Sequence, residues 1–184
     1  MKWNKSLFVS FGLLIVACSL YRVWDGRPFG FAPQIAMAVF AGSVIKNKKF
    51  SFLLPLVSMF LSDALYQLLY SNGLSKIPGF YSGQLTNYIL FCSLTVFGFF
   101  VRSTKWVSIL GASVAAPTAY FLLSNFQVWI GGGGYGRTSL LSCYVDGLPF
   151  YGYSVLATIL FAGVFFGCYN VMIKPTVRPV FDFE

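Results

Sequence analysis

The chain has 184 residues, of which 57% are hydrophobic and only 10% charged, against about a quarter charged in an ordinary soluble domain; this excludes a soluble fold with a hydrated charged surface. The net charge of +8 comes without an interleaved basic and aromatic stripe, so no nucleic-acid partner is expected. There is no histidine, which removes the commonest metal ligand and general base, so no metal, cofactor or catalytic site is expected and the chain reads as a non-enzyme.

Apolar runs recur along the whole length, and a bilayer-crossing helix needs roughly 20 residues. The first run covers residues 6–21 and is followed by a charged, turn-rich loop, 22–33. The second covers 34–45 and ends at Lys46, Lys48 and Lys49. It is short; extended back to Phe29, with Pro33 near its start, it is expected to cross rather than to re-enter. The third covers 50–70, the fourth 84–101, the fifth 106–130 and the sixth 151–173. The expected fold is therefore all-α, a polytopic bundle of six transmembrane helices forming one domain over residues 1–184. Residues 131–136 are Gly-rich but lack the Lys-Ser/Thr of a phosphate loop, and read as an external loop.

Basic residues give the orientation. Lys2, Lys5, Lys46, Lys48, Lys49, Arg102, Lys105, Lys174 and Arg178 fall on one side; Arg22, Arg27, Lys76 and Arg137 fall on the other. The side richer in Lys and Arg is cytoplasmic, so both termini are expected inside. Trp3 and Trp106 then fall at inner boundaries and Trp24 and Trp129 at outer ones, the headgroup level that Trp prefers. The expected location is a bacterial cytoplasmic membrane, with the lipid bilayer as the main partner. Ile15, Val16, Ala17 and Cys18 resemble a lipobox, but cleavage there would spoil the charge pattern, and the first-helix reading is preferred. Cys18, Cys92 and Cys168 lie in apolar runs and Cys143 in a loop, with no disulfide or zinc spacing.

Asp63 is the one charge within residues 50–70. An ionised carboxylate in hydrocarbon is costly and needs a partner or a purpose. Helical spacing puts Asp63, Tyr66, Gln67 and Tyr70 on one face. At about 1.5 Å per residue Asp63 lies roughly 20 Å into a core about 30 Å thick. Its expected partners are Arg22 or Arg27, or a bound cation or amine. Gln84, Asn87 and Tyr88 begin the fourth run; Asn125 and Gln127 lie near the outer end of the fifth, Gln34 starts the second, and Asn170 lies near the inner end. This asymmetry predicts a cavity opening outward, with Asp63, Tyr66, Gln67, Gln84, Asn87, Asn125, Arg22 and Arg27 as substrate-binding candidates. The competing reading of each polar residue is interhelical hydrogen-bond glue. Pro117 is expected to bend the fifth helix. The pairs Ala38/Gly42, Gly111/Ala115 and Gly163/Gly167 are expected to permit close helix contact.

Phe31 and Pro33 with Ala36, Ala38, Phe40 and Gly42, then Pro55, Met59, Ser62 and Asp63, then Asn125, Trp129, Cys143, Tyr144, Pro149 and Phe150, together resemble an uncharacterised family of small six-helix bacterial membrane proteins labelled as transport proteins. The likeness runs over roughly residues 22–167; the family pattern has Asn where this chain has Gly30. In size and topology the chain also looks like the substrate-binding subunit of energy-coupling-factor vitamin transporters. That resemblance implies a small-molecule substrate, a vitamin-like ligand near the outer face, and a separate membrane coupling subunit with ATPases as partners. The expected function is thus substrate binding for membrane transport. A structural or assembly subunit, or a self-sufficient proton- or cation-coupled carrier, is the alternative.

Overall fold

The computed structural model describes residues 5–132 and 139–172. Lys2, Trp3, Lys174, Arg178, Arg137 and most of the Gly-rich segment lie outside them. The described residues form α1 (Lys5–Val23), α2 (Gln34–Val44), α3 (Lys48–Ser51), α4 (Leu53–Ser71), α5 (Gln84–Ser93), α6 (Thr95–Phe99), α7 (Trp106–Ile130) and α8 (Leu140–Met172), with no strand among them. Because α3 runs into α4 and α5 into α6, there are six helical rods. Three stretches are long and apolar enough to cross a membrane: Lys48–Ser71, Trp106–Ile130 and Leu140–Val171. The other apolar helices are shorter, Val9–Val23, Gln34–Val44 and Gln84–Phe99.

The surface of the bundle is widely apolar, and several polar side chains are buried within it. Leu13, Phe60, Leu110, Leu122, Leu156 and Leu160 are exposed, while Ser19, Gln34, Ser58, Ser62, Asp63, Thr95, Ser113 and Thr158 are buried. Water penalises an apolar surface of this extent, whereas lipid tails do not.

The short helix α2 is the axis of the fold. Gln34 to Gly42 are all buried, and the helix packs against α4, α5, α6, α7 and α8. Its 11 residues rise about 16 Å, well short of a core about 30 Å thick. It is enclosed by protein, so its ends meet protein groups. Lys48 Nζ donates to the Gly42 carbonyl at 2.8 Å and stands 4.7 Å from the Phe99 ring centre. A cation there complements the negative end of α2.

Gly42 meets Gly98 of α6 so closely that a Cβ on either would strike backbone of the other helix. The expected close contact is therefore real at Gly42. At Gly111, Gly163 and Gly167 it is not: a Cβ there would meet nothing within 4 Å. Spacing alone could not tell these pairs apart, because which helix face turns inward depends on the neighbours.

α8 begins earlier than its apolar run suggested. Cys143, Tyr144, Pro149 and Phe150 lie within it, and Cys143 is buried, at 2% exposure. The expected loop Cys143 is thus a core residue on the first turns of a helix. Pro149 does not break α8, just as Pro117 does not break α7.

The two ends of the bundle differ. At one end Ser43 Oγ donates to the Val101 carbonyl at 3.0 Å and Asn170 Nδ2 to the Ser103 carbonyl at 3.0 Å. These contacts gather the turns that carry Lys46, Lys48, Lys49, Arg102 and Lys105. At the other end lie the close of α1, the start of α2 and the start of α5. Trp106 and Trp129, both exposed, stand at opposite ends of α7, separated by a rise of roughly 35 Å, close to the thickness of a hydrocarbon core.

Candidate functional site

Asp63 lies on the third turn of α4, where its helical phase faces α1 and α5. It is 2% exposed and accepts hydrogen bonds on both carboxylate oxygens. Arg22 Nη1, from the last turn of α1, donates to Oδ1 and also to Ser62 Oγ. On Oδ2, Gln84 Nε2 donates at 2.8 Å and the Tyr88 hydroxyl at 2.6 Å, both from α5. Arg22 and Asp63 form an ion pair. An ion pair with its remaining lone pairs hydrogen-bonded is the form in which buried charge is tolerated. Of the expected partners it is Arg22 that pairs, and the carboxylate joins α1, α4 and α5 in one knot.

Arg27 is held next to this knot, and no carboxylate among the described residues pairs with it. Its Nε donates to the Arg22 carbonyl at 2.6 Å and its Nη2 to the Tyr66 hydroxyl at 3.2 Å. Tyr66, one helical turn beyond Asp63, donates to the same Arg22 carbonyl at 2.7 Å. Tyr66 thus fixes both arginines, one through its backbone and one through its side chain.

Gln67 has a different task. Its Oε1 accepts from the backbone N–H of Gly79 at 3.2 Å and of Phe80 at 3.4 Å, pinning the loop between α4 and α5 onto α4. Gly79 lies so close to the Asp63 carbonyl and the Gln67 backbone that no Cβ fits there. Gln84 Nε2 also reaches the Gly79 carbonyl at 3.2 Å.

Beside the knot is a cavity of about 330 Å³, at the small end of the range of about 300–1,000 Å³ for small-molecule sites. Arg22 and Arg27 form one wall and Gln34 and Ile35 of α2 another. Asn87 and Phe91 enter from α5; Pro117, Tyr120, Phe121 and Asn125 from α7; Phe150, Tyr151 and Ser154 from α8. The loop after α1 closes it at Gly30, whose φ of +84° and tight contact with the Phe150 carbonyl both suit glycine.

Of the eight candidates, Arg22, Arg27, Asn87 and Asn125 line this cavity. Asp63, Tyr66 and Gln84 stand behind the arginines and hold them or each other, and Gln67 serves the loop. Asn87 Oδ1 accepts from the Tyr120 hydroxyl at 2.8 Å and its Nδ2 donates to Tyr81 at 2.9 Å. Asn125 Nδ2 donates to the Phe121 carbonyl at 2.8 Å. The aromatic walls were not among the candidates. Pro117, Tyr120, Phe121 and Ser124 recur at three- and four-residue steps, which is the one trace of that face in the sequence.

Gln34 stands out. It is 1% exposed, its Nε2 donates to the Cys18 carbonyl at 3.3 Å, and its Oε1 has no partner. A buried acceptor without a donor is costly in a low-dielectric interior.

No curated protein and no solved structure matches the chain. A family model matches residues 2–180, nearly the whole length, and its description assigns no activity and no link to transport or to energy-coupling-factor subunits. The chain belongs to that family, a family of unknown function (DUF6580).

Proposed function

We propose that this protein is a multi-pass membrane protein that binds a small molecule in the cavity beside Arg22 and Arg27, as the substrate-binding part of a transport system. The observation that carries this reading is the cavity itself. It is walled by two guanidinium groups, three side-chain amides and a ring of aromatic side chains. A bundle built only to hold subunits together has no need of such a space, and tight packing is otherwise the rule.

In this reading the lysine-rich end is cytoplasmic by the excess of Lys and Arg. The cavity, at the opposite end, faces outward. All six helical rods cross, α2 doing so with the help of the segment before it. A coupling subunit with ATPases supplies the energy, since no nucleotide site is encoded in the chain.

The ion pair of Asp63 with Arg22 and its hydrogen bonds to Gln84 and Tyr88 favour a second reading for that residue, a structural ion pair rather than a ligand contact. A carboxylate already paired with Arg22 also weighs against a self-sufficient carrier coupled through that residue. The test is a thermal-shift screen of the purified protein in detergent against vitamins and other small metabolites, with mass spectrometry of what copurifies from the native membrane. At least one compound should raise the melting temperature in a dose-dependent way. A blank screen, together with stoichiometric recovery of an unrelated complex, would assign the protein to assembly.

A further inference from the structure

The charges around the cavity discriminate between classes of ligand. Two guanidinium groups line it, and among the described residues no carboxylate does. Asp63, behind the wall, balances Arg22 through Nη1. Arg27 is held by two carbonyls and a phenol, none of which carries charge. The wall therefore has an excess of one positive charge beside a low-dielectric interior. A cation or amine would meet this unfavourably, and a dianion would overcompensate it.

Gln34 adds an independent demand. Gln34 is among the lining residues and its Oε1 is a buried acceptor without a partner, so an occupant that presents an N–H or O–H towards α2 would supply the missing donor. Between these two polar points the walls are flat rings: Phe91, Tyr120, Phe121, Phe150 and Tyr151. Resting on the ligand-binding reading above, we infer that the cavity takes an organic monoanion. Its carboxylate lies on Arg27 and the free edge of Arg22, its ring body lies among the aromatic side chains, and a hydrogen-bond donor meets Gln34 Oε1. Asp63 and Tyr66 act here as positioning residues for the two arginines and do not touch the ligand.

Matched trios of ring compounds test this by equilibrium dialysis and thermal shift on the intact protein in detergent. Suitable trios are 4-aminobenzoate, 4-aminobenzamide and 4-aminobenzylamine; 4-hydroxyphenylacetate, its amide and tyramine; and indole-3-acetate, its amide and tryptamine. In at least one trio the carboxylate should bind about ten- to hundredfold more tightly than the amide, the range for a hydrogen bond to a charged group, and the amine should be weakest. Arg27→Gln should abolish that preference. If Arg27→Gln does not elute as a folded species, Arg27→Lys serves instead; keeping the charge without the planar fork, it should still lose about tenfold. For a binding aminobenzoate, 4-(dimethylamino)benzoate, which has no N–H, should bind more weakly, and equal binding would remove Gln34 from the proposal. Chloride or inorganic phosphate producing the same shift as the carboxylates would reduce the site to a simple ion site and overturn the organic class.

Amides or amines that bind as well as the acids would overturn the anion class while leaving the ligand-binding reading in place. Silence from all nine compounds would also overturn the anion class. A hit in the wider metabolite screen would then preserve ligand binding, and a blank there would end both.

Discussion

Asp63 was singled out because charge is rare in this chain, and the structure gives that charge a definite use. Its carboxylate takes Arg22, Gln84 and Tyr88 at once, so three helices depend on one side chain. Asp63→Asn keeps the shape but leaves Arg22 without its counter-charge. The protein should lose about 2–5 kcal/mol of stability, the cost of removing one partner of a desolvated pair. Arg22→Met should cost a comparable amount, because it strands the carboxylate. Since both changes break one interaction, the double variant should lose clearly less than the sum. Thermal unfolding in detergent measures all three; strictly additive losses would show that the two residues act separately.

Among the elements, α2 is too short for its setting and survives by enclosure. Its close crossing with α6 rests on Gly42 and Gly98, where backbone meets backbone. Gly42→Leu should push the two helices apart and cost about 1–3 kcal/mol, as overpacking of an interior does. Gly163→Leu, on a face with open space around it, should stay within about 0.5 kcal/mol of wild type. Both glycines sit in small-residue pairs of identical spacing, so equal losses would mean that spacing alone, and not the Gly42–Gly98 crossing, governs the packing. Gly79 plays a related part in a loop: its missing Cβ lets the segment before α5 lie on α4 at Asp63.

For the whole molecule, the proposed orientation follows from the ends of the bundle. Native Cys143 is buried and is a poor reporter of sidedness. Exposed positions serve better: Lys76 in the loop at the cavity end and Lys49 on α3 at the lysine-rich end. In a background with Cys92 and Cys168 replaced by Ser, Lys76→Cys should react with a membrane-impermeant maleimide added to intact spheroplasts. Lys49→Cys should react only after permeabilisation. The reverse pattern would invert the topology and turn the cavity towards the cytoplasm.

The helical class, the helix count and most helix bounds were legible in the sequence. Burial of backbone polar groups in an apolar chain leaves helices as the simplest solution, and apolar length sets where they lie. The run 106–130 matches α7 residue for residue. The start of α8 was not legible, because Asp146 and Pro149 interrupt the hydropathy of a helix that packing on α7 continues through them. Asp63, Arg22 and Arg27 could be marked in advance, since isolated charges near hydrocarbon are conspicuous by their cost. Which of them faces the cavity could not. That depends on how α1, α4 and α5 rotate against one another, a matter of tertiary packing that leaves no period in the sequence. The same holds for Tyr120, Phe121, Phe150 and Tyr151: an aromatic residue in an apolar helix reads alike whether it faces outward or lines a cavity, and only the assembled bundle decides which.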